Sequence, residues 1–265
     1  MQALQSPAFR SFKGEELFQD LETFCMFIGF PRSGHTLIGF LLDAHPNMIV
    51  ARELNVLKHI YAGYSESQIY HLLLENSRAR AEAISGKHKY SYAVPNQWQG
   101  RFQKLQVIGD KQGGASTRHF SKRPDSLQRL RETISLNIKF INVLRNPYDN
   151  ISSSAARKNW SLEESAERYF SLCERIENIK KQIATSDLFE LRHESFIDNP
   201  QGLLKQLCNF LGVEATDDYL NDCARIVYKA PHKSRGAAGW DHKLIPTVQD
   251  RIAEFSFLKG YSFES

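Results

Sequence analysis

The sequence has few cysteines, no long apolar run and little excess charge, and each shortage excludes a class of protein. Its four cysteines are scattered without a C-x-x-C pair or a metal-ligand spacing, which indicates a reduced cytoplasmic protein with structural thiols. No apolar run approaches the roughly 20 residues that cross a bilayer, and the N-terminal stretch lacks the apolar segment of a secretory signal. A net charge of +4 suits a small anionic ligand but is too low to indicate a nucleic-acid-binding protein.

The chain instead contains an alternation of strand-like and helix-like segments, in a length of 265 residues that suits one α/β domain, 1–265. Short apolar runs predict five strands, at 23–30, 47–53, 105–111, 138–145 and 188–194. Helical spacing predicts helices at 35–45, 54–62, 66–83, 147–158, 162–184 and 199–211. Alternating strands and helices predict a three-layer α/β fold, with a mostly parallel central sheet covered on both faces.

Two further segments have a composition of their own. Residues 86–104 are aromatic and turn-rich without a clear period, and we interpret them as a loop or hairpin over the sheet edge. This segment is a candidate lid over an acceptor, and an ordinary surface excursion explains it equally well. The basic stretch 118–132 is interpreted as a solvated helix face.

The sequence "GFPRSGHT", within the candidate loop 29–37, differs in one position from the phosphate-binding pattern G-x-x-x-x-G-K-[ST]. It follows a predicted buried strand and opens a helix, so its backbone amides and the helix N-terminus form an anion site. His35 stands where the pattern has lysine, and a neutral imidazole does not supply a dependable positive charge at pH 7. Arg32 offers a permanent cation three residues earlier.

A second candidate site is "INVLRNPYDNISSSAARK", residues 141–158. A strand ends at Arg145 and a helix follows, with Pro147 in its first turn. Ser153 and Arg157 are four residues apart and therefore share a helix face. Two guanidinium groups and a hydroxyl group at this spacing suit a terminal phosphate monoester.

These two motifs resemble those of sulfotransferases. "FPRSGHTLIGFLLDAHPN" is similar to the family's 5′-phosphosulfate loop, and "LRNPYDNISSS" is similar to its 3′-phosphate motif, in which arginine and serine are eight residues apart. The resemblance implies that the chain binds 3′-phosphoadenosine 5′-phosphosulfate (PAPS) as donor and releases 3′-phosphoadenosine 5′-phosphate (PAP), without a metal ion. It implies nucleotide contacts from the loop (Arg32, Ser33, Gly34, His35, Thr36) and from the helix motif (Arg145, Ser153, Arg157).

The resemblance continues more loosely near the C-terminus. "KSRGAAGWDHKLIPTVQDR" is similar to the family's R-K-G-x-x-G-D-W-K loop, which implies nucleotide contacts from Arg235 and Gly236. Residues Lys243, Thr247 and Val248 are similar to the family's dimer motif, and a homodimer is a possible consequence. Ile252 replaces the glutamate of that motif, which weakens the prediction of a dimer.

The catalytic groups are predicted from the strand ends. Glu53 follows the second strand in a segment similar to that of the catalytic glutamate in tyrosylprotein sulfotransferases, and we predict that it is the general base. A carboxylate that caps the following helix is the alternative interpretation. Lys111, in "GDKQGG", resembles the family's lysine at the departing oxygen, and the cytosolic enzymes' histidine is absent there. His59 is a second candidate base, and His193 falls where relatives have a nucleotide-contacting tyrosine.

The predicted function is sulfuryl transfer from PAPS to a hydroxyl or amine of a small-molecule acceptor, with Arg32, Lys111 and Glu53 in catalytic roles. One alternative is a magnesium-dependent small-molecule kinase, in which Asp110 would hold the metal. A second is a non-catalytic module that binds an adenine nucleotide. Fold analogy does not separate the three; the displaced lysine and the cluster of Arg145, Ser153 and Arg157 favour the sulfotransferase.

Overall fold

A computed structural model describes residues 16–84 and 92–265. Within these ranges the strands are Thr23–Gly29 (β1), Met48–Arg52 (β2), Val107–Lys111 (β3), Asn137–Leu144 (β4) and Leu188–Arg192 (β5). All five predicted strands are confirmed, and no strand end differs from its predicted position by more than two residues. The strands form one sheet in the order β2-β3-β1-β4-β5, and every neighbouring pair is parallel.

The helices are His35–Asp43 (α1), Val56–Tyr61 (α2), Glu66–Ile84 (α3), Gly113–Lys122 (α4), Ser126–Thr133 (α5), Pro147–Lys158 (α6), Leu162–Lys180 (α7), His193–Asp198 (α8), Pro200–Leu211 (α9), Asp217–Ile226 (α10) and Leu244–Ala253 (α11). The six predicted helices are confirmed, and α4, α5, α8, α10 and α11 add to them. The basic stretch 118–132 is divided between α4 and α5, because proline at position 124 interrupts a helix. Apolar residues of both helices, among them Phe120, Leu127 and Leu130, are buried and pack the stretch onto the core.

Every residue of β1 is buried, because helices cover both faces of the sheet. Cys25 and Phe27 pack on one face, in a cluster that includes residues of α1, α9 and α10. Phe24 and Met26 pack on the other face with residues of α2, α3 and α5. The fold is therefore the three-layer α/β sandwich that the sequence predicts.

The strand order places the candidate site. β1 lies between β3 and β4, and the chain leaves β1 toward β2 on one side and reaches β4 on the other. The carboxyl ends of parallel strands lie at one edge of the sheet, and a crevice forms at such a switch in strand order. Gly29, Arg52, Lys111 and Arg145 lie at or directly after these ends.

The predicted lid is described only from residue 92 onward; its residues 86–91 lie outside the described part of the chain. The backbone amides of Trp98 and Gly100 donate to Ala44 O (3.0 Å) and Asp43 Oδ2 (3.2 Å) at the end of α1. Since α1 begins at the carboxyl edge of the sheet, its last residues lie toward the amino edge. Trp98 and Gly100 therefore lie at the end of α1 that is farther from the loop, whereas Tyr92 packs on Phe40 in the middle of that helix, with ring centroids 5.5 Å apart.

Two other expectations concern the surface of the fold. Val248 and Ile252, which lie in the segment similar to a dimer motif, are buried within this chain in a cluster with residues of α6 and α7. Their side chains are therefore not available at the surface for a second copy. Across the described ranges, no helix combines the length and apolar character needed to span a bilayer.

Candidate active site

The loop after β1 has an unusual backbone that opens an anion site at the start of α1. Gly29, Arg32 and Gly34 all have positive φ angles, of 115°, 67° and 94°. A Cβ atom at Gly34 would lie 2.4 Å from His193 Nδ1. The positive φ angle and this lack of space both require glycine at position 34. Arg32 is not glycine, and its left-handed backbone is a strain of the kind found at ligand sites.

His35 stabilises this loop as a neutral ring. Its Nδ1 lies 3.0 Å from Phe30 O and therefore donates to that carbonyl, while Ser33 Oγ donates to the same oxygen at 3.0 Å. Burial, and secondarily the positive charge of Lys111, lowers the pKa of His35 to about 3. The residue that replaces the pattern's lysine therefore supplies no charge to the loop.

Lys111 brings a cation to this loop from the neighbouring strand. Its Nζ donates to Glu53 Oε1 at 2.9 Å and to Thr36 Oγ1 at 3.4 Å. The aliphatic stem packs on α1 at Gly39, where a Cβ atom would lie 2.6 Å from Lys111 Cγ. Burial lowers the pKa of Lys111, and the hydrogen bond to Glu53 opposes that effect. Lys111, at the end of β3, thus brings an ammonium group to the loop whose own sequence lacks the pattern's lysine.

Glu53 has a left-handed backbone, with φ of 60°, and its side chain is 52% exposed. Partial burial raises its pKa, but the hydrogen bond and charge of Lys111 outweigh this and hold the pKa below its ordinary value. The carboxylate is therefore ionised at neutral pH, as a proton acceptor must be. His59, the second candidate base, lies on α2 with its ring 5.1 Å from that of Tyr64.

The start of α2 is capped by Asp110 and not by Glu53. The amides of Leu54 and Val56 donate to Asp110 Oδ1 and Oδ2, each at 3.1 Å, and the Asp110 side chain is completely buried. The helix-capping alternative for Glu53 is therefore not what the structure contains. These two hydrogen bonds occupy both oxygens of Asp110, the residue that would hold the metal ion in the kinase alternative.

The helix motif meets the loop through Ser153 and Arg145. Arg32 Nε donates to Ser153 Oγ at 2.9 Å, across 121 positions of sequence. Arg145 donates to Arg32 O at 3.1 Å and to His232 O at 2.5 Å, and its own Nε is buried without a partner. Arg157 is exposed one turn after Ser153. The structure thus brings the two sequence motifs together at one edge of the sheet.

Arg235 forms a buried ion pair inside the protein. Its backbone N and its Nη1 each donate to the Asp149 carboxylate at 2.9 Å, and its Nη2 donates to Ser265 O. These bonds anchor the segment 234–237 to α6 and engage both terminal nitrogens. Beside it, a Cβ atom at Gly236 would meet no atom within 4 Å. Sequence reasoning missed Asp149, whose partner is 86 positions away.

The glycines after Lys111 pack against the loop. A Cβ atom at Gly113 would lie 3.3 Å from His35 Nδ1, and one at Gly114 would lie 2.7 Å from Pro31 Cδ. They therefore allow the start of α4 to approach the loop itself.

A cleft of about 440 Å³ opens beside Pro31, between α4, α6 and α7. Its wall includes Asn150 and Ser154 from α6, with Arg118 from α4 and Arg175 from α7. Sequence reasoning missed these residues, since no short motif joins them. The crevice therefore has a loop that leads into the N-terminus of α1, a carboxylate paired with a lysine, and, beside Pro31, a cleft of small-molecule size.

Comparisons with known proteins identify a family model that matches this chain and solved structures of similar fold. A sulfotransferase family model matches residues 26–218. A sulfotransferase domain from the curacin biosynthetic pathway is 16% identical, with a TM-score of 0.55 over 88% of this chain and 97% of that one. A sulfotransferase from Mycobacterium avium is 11% identical, with a TM-score of 0.50 over 88% of this chain and 76% of that one. No curated protein matches the sequence.

Proposed function

This chain belongs to the sulfotransferase family and is a transferase enzyme, and we propose that it moves a sulfuryl group from PAPS to a hydroxyl or amine of a small molecule. One observation carries the proposal. The Lys111 ammonium lies 3.4 Å from Thr36 Oγ1 and 2.9 Å from Glu53 Oε1, so a cation and a base meet at the anion-binding loop.

The residues present fit the proposed donor at two points. At the loop, Arg32, Lys111 and the first amides of α1 supply the positive field for a 5′-phosphosulfate. Just before α6, the Nε of Arg145 is buried without a partner among the described residues, and Ser153 and the exposed Arg157 share the helix face that we assign to a 3′-phosphate. His193 Nδ1 is a second buried atom without a partner, and its ring packs on Gly34.

Each residue has one step in the transfer. Glu53 accepts the proton of the acceptor hydroxyl, whose oxygen then forms the new bond to sulfur. Lys111 and Arg32 donate hydrogen bonds to the oxygen that receives the electron pair of the broken bond. The donor, when bound, supplies the sulfuryl group and leaves as PAP, and the proton remains on Glu53 until water removes it.

The adjoining cleft is the proposed acceptor site. It lies beside Pro31 of the loop, and its Tyr169 stacks on Phe30 with ring centroids 4.5 Å apart. A volume of about 440 Å³ accommodates one small molecule. No residue of 92–104, the described part of the predicted lid, lines this cleft.

Transfer of labelled sulfate from PAPS to a mixture of small hydroxy compounds tests this function. We expect labelled products of the acceptors and calorimetric binding of PAP. Binding of PAP without transfer to any acceptor would support the non-catalytic module instead, and transfer of phosphate from ATP in the same mixture would support the kinase.

A further inference from the structure

The cleft beside the loop contains two arginines without acidic partners. Arg118 and Arg175 line it from α4 and α7, and neither forms an ion pair with any carboxylate in residues 16–84 or 92–265. Arg175 Nε only contacts the neutral Ser171 Oγ, at 3.4 Å. Burial, and next the positive charge of Arg175, lowers the pKa of Arg118. The exposed Arg118 and the half-buried Arg175 therefore line the cleft without a carboxylate partner in the described part of the chain.

The other charged side chains of the cleft already have partners. Arg168 donates to Glu164 at 2.9 Å and lies over the Trp160 ring at 4.3 Å. Glu167 lies 3.5 Å from Arg251 Nη1. The excess positive charge of the cleft therefore resides on Arg118 and Arg175.

The cleft also contains an uncharged hydrogen-bond donor, the side-chain amide of Asn150. Asn150 is 2% exposed, it lines the cleft, and its Nδ2 is buried without an acceptor. A buried donor without an acceptor is costly unless a ligand or water supplies one. Trp160, Tyr169 and Leu172 give the same cleft an aromatic and apolar wall. The lining therefore suits a molecule with a flat apolar body and a negatively charged group.

Resting on the proposed function, we propose that the acceptor is a hydroxylated organic acid whose carboxylate binds to Arg118 and Arg175. A guanidinium group binds a carboxylate through two parallel hydrogen bonds, which fixes orientation as well as affinity. With the carboxylate on Arg118 and Arg175, the ring lies along Trp160 and Tyr169. The hydroxyl group must then extend past Pro31 to Glu53, which does not itself line the cleft.

Paired acceptors test this specificity. The protein is given PAPS and a set of aromatic hydroxy acids, among them para-hydroxyphenylacetate, together with the amide of each acid, and sulfated products are identified by mass. We expect the acids to be sulfated at least tenfold more efficiently than their amides. Arg118→Gln and Arg175→Gln should each raise KM for the acid about tenfold or more while kcat changes little, because a charge-assisted bond is lost.

Arg168→Gln is the matched control, since that arginine lines the same cleft but is paired with Glu164. It should leave the preference for acids unchanged. Calorimetric titration of para-hydroxyphenylacetate into the PAP-saturated protein gives a second readout, which the two glutamine variants should weaken. Thermal unfolding and PAP affinity show whether each variant is folded.

The outcomes separate this inference from the function beneath it. Equal transfer to acids and amides, transfer to amides alone, or an unchanged KM in both variants overturns the inference while sulfuryl transfer stands. Transfer to other hydroxy compounds but to none of the acids also overturns it. Failure to bind PAP and to transfer sulfate to any compound instead defeats the proposed function.

Discussion

Arg32 Nε lies 2.9 Å from Ser153 Oγ, so one hydrogen bond joins the loop after β1 to the middle of α6. Arg145 makes a second connection, through its bond to Arg32 O. The loop proposed for the 5′-phosphosulfate and the motif proposed for the 3′-phosphate therefore form one continuous surface. A nucleotide that carries both groups fits such a surface better than one that carries a single group.

Nucleotide selectivity is the first prediction, and Arg157 is its test. Arg157→Gln should weaken binding of PAP by roughly tenfold or more, since a charge-assisted bond contributes about 1.5–3 kcal/mol. Binding of adenosine 5′-phosphate, which lacks the 3′-phosphate, should hardly change. Calorimetric titration of both nucleotides measures the difference. The exposed neighbour Lys158→Gln is the control, and an equal loss for the two nucleotides would refute the assignment.

Much of this surface could be predicted from the sequence because its signals are local. The run "TFCMFIGF" is apolar enough to identify β1, and its glycine marks the turn into the loop. Pro147 after Arg145 marks the start of α6 in the same way. Short helices such as α4 and α8 were missed because their stability comes from packing and not from periodicity.

The contacts of the site could not be predicted, since they join residues far apart in sequence. Lys111 reaches Thr36 only because Gly39 leaves room for its stem on α1. The bond of Arg235, a predicted nucleotide contact, to Asp149 is a second example. Neither relationship has a sequence spacing that would reveal it.

The second prediction concerns Lys111. Lys111→Met keeps the apolar stem against Gly39 and removes the ammonium group. We expect kcat to fall by about 10²–10³-fold, as for the loss of one donor to a developing negative charge. Single-turnover transfer measures this, with thermal unfolding as the check on folding. A near wild-type rate would show that Lys111 only stabilises Glu53.

The third prediction concerns a substitution at Gly39 that displaces the Lys111 side chain. Gly39→Ala favours helix formation by roughly 0.5–1 kcal/mol, but its Cβ atom would lie 2.6 Å from Lys111 Cγ. The lysine must shift, so kcat should fall while PAP affinity is retained. Thermal unfolding of the variant shows whether the fold is retained. An unchanged kcat in Gly39→Ala would mean that the position of Lys111 does not limit transfer.

The fourth prediction uses Asp110, whose pKa burial raises to about 6. The folded state therefore binds a proton that the unfolded state has lost, and this stabilisation is complete below about pH 4 and disappears as pH rises through 6. The difference in unfolding free energy between wild type and Asp110→Asn should accordingly be about 1 kcal/mol larger at pH 5 than at pH 7. Urea unfolding at both values measures it, with exposed Asp218→Asn as control.

Asp110 is also the residue that would hold magnesium in the kinase alternative, which metal removal tests. Both Asp110 oxygens accept backbone hydrogen bonds at the start of α2, so Asp110→Asn should lower thermal stability. Sulfuryl transfer by the wild type should continue in excess EDTA, since fixed cations surround the loop. Loss of turnover on chelation, with recovery on adding magnesium, would contradict this prediction.

The last prediction assigns the base. Glu53→Gln keeps the size of the side chain and its hydrogen bond from Lys111, but removes the ability to accept a proton. Loss of a general base costs about 10²–10⁴-fold in rate. Single-turnover transfer should fall by that factor, while PAP affinity and thermal stability stay near wild type.

The rate of Glu53→Gln is straightforward to interpret, because Asp110 and not Glu53 caps α2. A loss of folding in Glu53→Gln can therefore no longer be attributed to a lost helix cap. Exposed Glu163→Gln is the control for a change of charge alone. A rate near wild type would remove Glu53 from the mechanism and make His59 the next candidate. A fall in PAP affinity of the same size would instead place Glu53 in nucleotide binding, since a base that acts only on the acceptor leaves the product nucleotide's affinity unchanged.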